Sequence, residues 1–125
     1  MEQGLEIGRA MAPGLAAVIA NHLETQTPVV LEGDFIHPAL AAQTSFLDQP
    51  NDGHVRAVFL YEADEQQILA NFLQREPESG LQTTRAEVSW LYGQWLKQEA
   101  EQYRLPILPV RPWETIFERI VAAIG

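Results

Sequence analysis

Pro28-Val-Val-Leu-Glu-Gly-Asp-Phe-Ile-His-Pro38 joins a short apolar run directly to acidic and turn residues. Val29, Val30 and Leu31 read as a buried strand, opened by Pro28, which suits the first position of a strand and not its middle. Glu32 and Asp34 then flank Gly33, so two carboxylates stand where the chain is expected to leave the sheet. That edge is where open α/β sheets bind ligands. Phe35, Ile36, His37 and Pro38 complete the turn, with His37 a candidate substrate contact whose plain reading is a turn residue.

Outward from this stretch, the chain alternates. Residues 5 to 24 place Met11, Leu15, Val18, Ile19 and Leu23 at helical spacing, with Pro13 marking a start or a kink and His22 beside the stripe. Thr25 to Thr27 ends that helix. On the other side, residues 39 to 42 read as one helical turn, and Gln49-Pro-Asn-Asp-Gly53 as a loop. Residues 55 to 61 have the β-branched and aromatic content of a second buried strand. Asp64 with Gln67 caps a helix that buries Ile68, Leu69, Phe72 and Leu73 and ends near Arg75. The polar segment 75 to 80 reads as a connection. Thr84 with Glu87 then caps a long helix with Val88, Leu91 and Trp95 on one face and Ala100 at its end. Leu105 to Val110 is a short strand bracketed by prolines. Pro112 opens a last helix carrying Ile116, Phe117, Ile120, Val121 and Ile124. Strands alternating with helices imply an α/β domain with a mostly parallel sheet, spanning residues 1 to 125.

Composition narrows the function classes. A length of 125 residues at 46% hydrophobic content suffices for one domain with a core. The absence of cysteine removes disulfides and thiolate metal sites and fits a cytoplasmic protein. Eight basic against 17 acidic side chains, a net charge of −9, argue against binding to a phosphate backbone, so nucleic acid is not an expected partner. The apolar run from Ala10 to Ala20 is broken by Pro13-Gly14 and is too short for a membrane span.

Val29-Val-Leu-Glu-Gly-Asp-Phe-Ile-His-Pro38, Phe59-Leu-Tyr-Glu62, Gln74-Arg-Glu-Pro77 and Leu105-Pro-Ile-Leu-Pro-Val-Arg-Pro-Trp113 together resemble P-loop small-molecule kinases. The likeness is to proteins similar to 2-phosphoglycerate kinase and to nucleoside or nucleotide kinases. It implies a three-layer, parallel-sheet P-loop NTPase fold, ATP and Mg2+ as cofactors and a small-molecule phosphate acceptor. It further implies a Walker B-like strand end at Glu32 and Asp34, which orient magnesium or take the acceptor proton. Arg75, in a lid, and Arg85 would meet phosphate oxygens, and Arg111-Pro112-Trp113 would form a base-binding loop. The plain reading of Glu32 to Asp34 is a solvated turn with Asp34 capping a short helix. For Arg75 and Arg85 it is surface pairing with Glu76, Glu78 or Glu87. Trp90 and Trp95 read as core or interface aromatics.

One departure matters. No Gly-x-x-x-x-Gly-Lys-[Ser/Thr] occurs, and the single lysine, Lys97, falls inside a helix. The resemblance therefore implies a carboxy-terminal kinase part whose sheet is truncated at the N-terminus, silent without a P-loop and prone to self-association. The alternative is a non-catalytic α/β interaction module.

Overall fold

Small residues decide how the first helix packs. A computed structural model of the chain describes residues Met1 to Gly125, and helix α1 runs Glu2–Thr25. Its buried side is Leu5, Gly8, Ala16 and Ala20, with Leu15, Ile19 and Leu23 at the margin, while Met11 and Val18 face solvent. The helix runs through Pro13, whose missing amide frees the Arg9 carbonyl on an exposed surface open to solvent. At the other end Gln26 adopts a left-handed conformation and the Thr27 amide donates to the His22 carbonyl. The His22 ring Nδ1–H donates to the Thr27 carbonyl at 2.9 Å, so this histidine closes the helix end.

The expected strand at 29 to 31 does not form. These residues are extended but unpaired with any strand, and Val30 is 91% exposed. β-Branched content expresses fit to a pleated, half-covered surface, and it makes a strand only where a neighbouring ladder takes the amides and carbonyls. Helix α2, Pro38–Ala41, follows as the single turn anticipated. Its N-cap is His37, not Asp34, so the capping role considered for Asp34 is not realised.

Strands β1, Ser45–Phe46, and β2, Gln49–Pro50, form an antiparallel hairpin whose second strand opens the segment read as a loop, with Ser45 opposite Pro50 and Phe46 opposite Gln49. Asn51 ties it down: its amide nitrogen donates to the Gln43 carbonyl at 3.2 Å and its Oδ1 accepts from the Val55 amide at 3.0 Å. Asp52 and Gly53 both have positive φ, and the His54 amide closes the turn on the Asn51 carbonyl. Ala16, Ala20, Leu40 and Phe46 are the core of this unit, Glu2–Ala57, with Phe46 fully buried.

Val58–Gly125 is a second compact unit. Strand β3, Phe59–Tyr61, pairs in parallel with β4, Ile107–Pro109, in the register Phe59 to Ile107 and Tyr61 to Pro109. The crossover carries α3, Glu65–Arg75, a 3-10 turn at Pro77–Ser79, and α4, Thr83–Gln102. The strand expected over 55 to 61 is confined to its last three residues because only they have a ladder partner. Asp64 caps α3 as anticipated, accepting from the Gln66 amide at 2.9 Å, whereas Gln67 bonds Asn71 and takes no part in the cap. On α4 the cap position is Gln82, and Thr84 already lies inside the helix.

The buried face of α4 is Ala86, Leu96 and Ala100, with Gly93 close to the Cβ of Tyr61; Val88 and Leu91 are exposed, contrary to the expected stripe. Alanine and glycine let the helix approach β3, which branched side chains at those positions would prevent. Trp90 is half-buried and donates its indole N–H to the Ala63 carbonyl at 2.9 Å, and Trp95 lies 5.6 Å from the Tyr92 ring. After β4, Pro112 precedes a 3-10 turn, Trp113–Thr115, and then α5, Ile116–Ile124. The whole is a mixed α/β fold, 59% helical, with one small parallel and one small antiparallel sheet. No helix is long and apolar enough to cross a membrane.

Gly8 supplies a stability prediction. A Cβ built there would fall on Nε2 and Cε1 of the His37 ring, whereas one at Gly14 on the same helix meets nothing within 4 Å. Gly14→Ala is expected to stabilise by about 0.5–1 kcal/mol through helix propensity. Gly8→Ala is expected to destabilise by about 1–3 kcal/mol, because His37 must leave its place. Urea unfolding compares the two; equal stability would sink the packing of His37 on α1.

Candidate ligand cleft

Helical spacing puts Asn71, Gln74 and Arg75 on one face at the end of α3, and with Trp113 they line an open cleft of about 480 Å3. Two residues expected at a cofactor site, Arg75 and Trp113, are thereby brought together from segments far apart in sequence. The Arg75 guanidinium lies 5.3 Å from the Phe72 ring centre and makes no ion pair or hydrogen bond. Asn71 accepts from Gln67 through Oδ1, which leaves its amide N–H group to donate.

The other expected residues are committed differently. Arg85 lies over the same Phe72 ring, 4.1 Å from its centre, and bonds to Glu76 at 2.7 Å and Gln82 at 3.1 Å. The Arg85 hydrogen bond and charge hold the Glu76 carboxyl below its ordinary value. This is the surface pairing weighed for Arg85. Arg111 forks onto Glu62, with Nε at 2.5 Å from Oε1 and Nη2 at 3.1 Å from Oε2. Glu62 also accepts from the Asp64 amide at 3.0 Å. The pair thus closes the carboxyl ends of β3 and β4 and links both to the start of α3. Pro112 offers its carbonyl to Arg119, whose guanidinium also donates to the Pro109 carbonyl at 2.6 Å and that of Val110 at 3.2 Å.

Asn71 and Arg119 escaped the sequence reading, which took Phe72 only as core and Glu62 and Gln74 only as motif positions. Glu62 had a signal, since a carboxylate directly after a strand and two residues before a cap is placed to take amide N–H groups.

Glu32, Asp34 and His37 belong to the unit Glu2–Ala57. Both carboxylates are exposed at the turn, and a Cβ added at Gly33 between them meets nothing within 4 Å. No group of three or more histidine, cysteine or carboxylate side chains is gathered to hold a metal ion. Comparison with family models, curated proteins and solved structures finds no match.

The cleft has the chemistry for an aromatic ring carrying an anionic group: an exposed indole face, two amide side chains and a guanidinium that lies over the Phe72 ring and near the Glu76 charge. It lacks a nest of glycine amides for a triphosphate, and Lys97 is held by Glu101 at 2.8 Å. Two carboxylates about Gly33 suit magnesium held chiefly by phosphate oxygens, since that ion commonly takes only one or two protein carboxylates.

Glu62 makes stability depend on pH. Burial pushes its carboxyl up, but the Arg111 hydrogen bond and charge and the Asp64 and Ala63 amides outweigh that and hold it below the ordinary glutamate value. A lowered folded pKa contributes stability above the unfolded pKa, about 4.3, and that contribution is lost as pH falls through the folded value. Glu62→Gln is expected to cost about 1 kcal/mol at neutral pH and to flatten the acid loss. Denaturant titration over about pH 6 to 3 checks this; an unchanged acid profile would place the loss elsewhere.

Proposed function

We propose that this chain is the part of an ATP-dependent small-molecule phosphotransferase of P-loop type that carries the acidic turn, the lid arginine and the base-stacking loop. The observation that carries it is the meeting of Arg75 and Trp113 at one cleft. The parallel pair β3 and β4, with Glu62 and Arg111 at its carboxyl ends, agrees with the ligand side of such folds. Bound ATP with magnesium would bring the phosphoryl group and most of the neutralising charge. Of this chain's residues, Trp113 would stack the base and Arg75 would meet a phosphate oxygen; Glu32 and Asp34, in the unit Glu2–Ala57, are the residues assigned to orient the ion or take the proton of a small acceptor hydroxyl. The setting is cytoplasmic.

Because the sequence has no P-loop, the 125 residues alone are expected to show no saturable Mg-ATP binding at micromolar concentration by titration calorimetry. Joined to a Gly-x-x-x-x-Gly-Lys-[Ser/Thr] strand-loop-helix segment, binding should appear and weaken about tenfold in Arg75→Ala, a loss of one charged hydrogen bond. Micromolar binding by the chain alone overturns the absence of a cradle. No phosphoryl transfer to any hydroxyl acceptor by the joined polypeptide overturns the enzyme.

A second reading, a non-catalytic α/β interaction module, is favoured by the apolar outer face of α5, where Phe117 and Val121 are exposed.

A further inference from the structure

The last helix is apolar on its outer side as well as its inner one. Ile116, Arg119, Ile120 and Ala123 face the unit, while Trp113, Phe117 and Val121, four residues apart, stand 54%, 75% and 50% exposed in a row. An acidic row lies along one side of it: Glu114 and Glu118 are both exposed and make no ion pair. Arg119, the one base of the helix, is spent on the carbonyls of Pro109, Val110 and Pro112 and on Thr115.

We propose that this face docks an amphipathic segment of a partner protein whose apolar residues are flanked by lysine or arginine. The proposal rests on the interaction-module reading and names its partner's chemistry. A second copy fits badly for two reasons. In a two-fold antiparallel pairing of α5 with itself, the row Glu114–Glu118 meets its own equivalent, setting like charges opposite one another in a chain of net charge −9. A parallel pairing would instead need the side of Ile116 and Ile120, which is taken up by packing. The patch is also small: three side chains expose a few hundred Å2, against about 800 Å2 per partner in a stable protein interface. A short peptide helix buries a patch of that size, and basic flanks neutralise the two glutamates.

The test is fluorescence anisotropy of a labelled helical peptide with leucines at i, i+3, i+4 and i+7 and lysines on both flanks, titrated with the full chain. Saturable binding is expected. Phe117→Ser and, separately, Val121→Ser should each weaken it by about tenfold or more, as truncating an anchor does. The substitutions are at exposed positions, and an unchanged circular dichroism spectrum confirms the fold. Glu114→Lys with Glu118→Lys should transfer preference to the same peptide with glutamate flanks. Binding indifferent to both serine variants is mere charge attraction and overturns the proposal. So does absence of binding. In that event sedimentation separates two failures: self-association abolished by Phe117→Ser leaves α5 a docking face with the wrong partner assigned, whereas a monomer removes the interaction-module reading with it.

Discussion

Phe46→Ala is expected to unfold the unit Glu2–Ala57, or to leave it folded only marginally. Phe46 has no exposed surface and packs with Ala16, Ala20 and Leu40, ringed by Leu15, Ile19, Leu23, Ile36 and Val55. It is the largest side chain of the four at the centre of that cluster, where α1 contributes only alanines and Leu40 is the other large residue. Truncating a buried phenylalanine costs about 3–5 kcal/mol, the lost transfer energy plus the cavity left behind. A unit of this size has about 3–8 kcal/mol in all at the usual stability per residue. The neighbours cannot easily collapse into the space, because β1 is tied through β2 and the Asn51 side chain to residues 43 and 55. Leu47→Ala next door, at a residue 70% exposed, should change stability by under about 0.5 kcal/mol. Hydrogen exchange of the amides in 2 to 57 checks both. A Phe46→Ala protein within about 1 kcal/mol of the original would mean that this cluster is not what holds the unit.

The same alanines explain which parts of the fold could be read from sequence. Helices came through because caps, breakers and apolar spacing act locally: Asp64 caps α3 and Thr25 ends α1; the strand at 107 to 109 likewise runs from just after Pro106 to Pro109. Which face is buried followed on α3, where Ile68, Leu69 and Phe72 pack, and only in part on α1 and α4. Counting large apolar residues points to Met11 and Val18 on α1 and to Val88 and Leu91 on α4. The buried positions are Leu5, Gly8, Ala16 and Ala20 on one and Ala86, Leu96 and Ala100, with Gly93 beside Tyr61, on the other, mostly small residues. Close approach rewards small side chains, and that reward depends on a neighbour the sequence does not name. Val29 to Leu31 failed as a strand for a related reason, since three residues with β propensity say nothing of a partner ladder. At the cleft, Arg75 and Trp113 were legible only through likeness to kinase motifs. Asn71 and Gln74, one helical face with Arg75, became visible only when Trp113 was placed against them.

Glu32→Gln and Asp34→Asn, in a polypeptide joining this chain to a P-loop segment, are expected to lower turnover by about 100-fold or more each while leaving stability within about 0.5 kcal/mol. The two effects separate because of where the residues stand. Both are exposed at a turn outside any helix or strand, so the neutral amides, which keep the shape, disturb no core. Gly33 between them has open space around it, which makes Gly33→Ala a control expected to change neither quantity. Phosphoryl transfer depends on positioning and on charge held near the transferred group, so a carboxylate that orients magnesium or accepts the hydroxyl proton acts in the transition state and not in folding. Turnover should therefore fall with little change in KM for ATP. A loss confined to KM would make the pair a ground-state ligand. Turnover unchanged in both variants would make Glu32 to Asp34 a solvated turn, and the phosphotransferase reading would then stand on the Arg75 and Trp113 cleft alone.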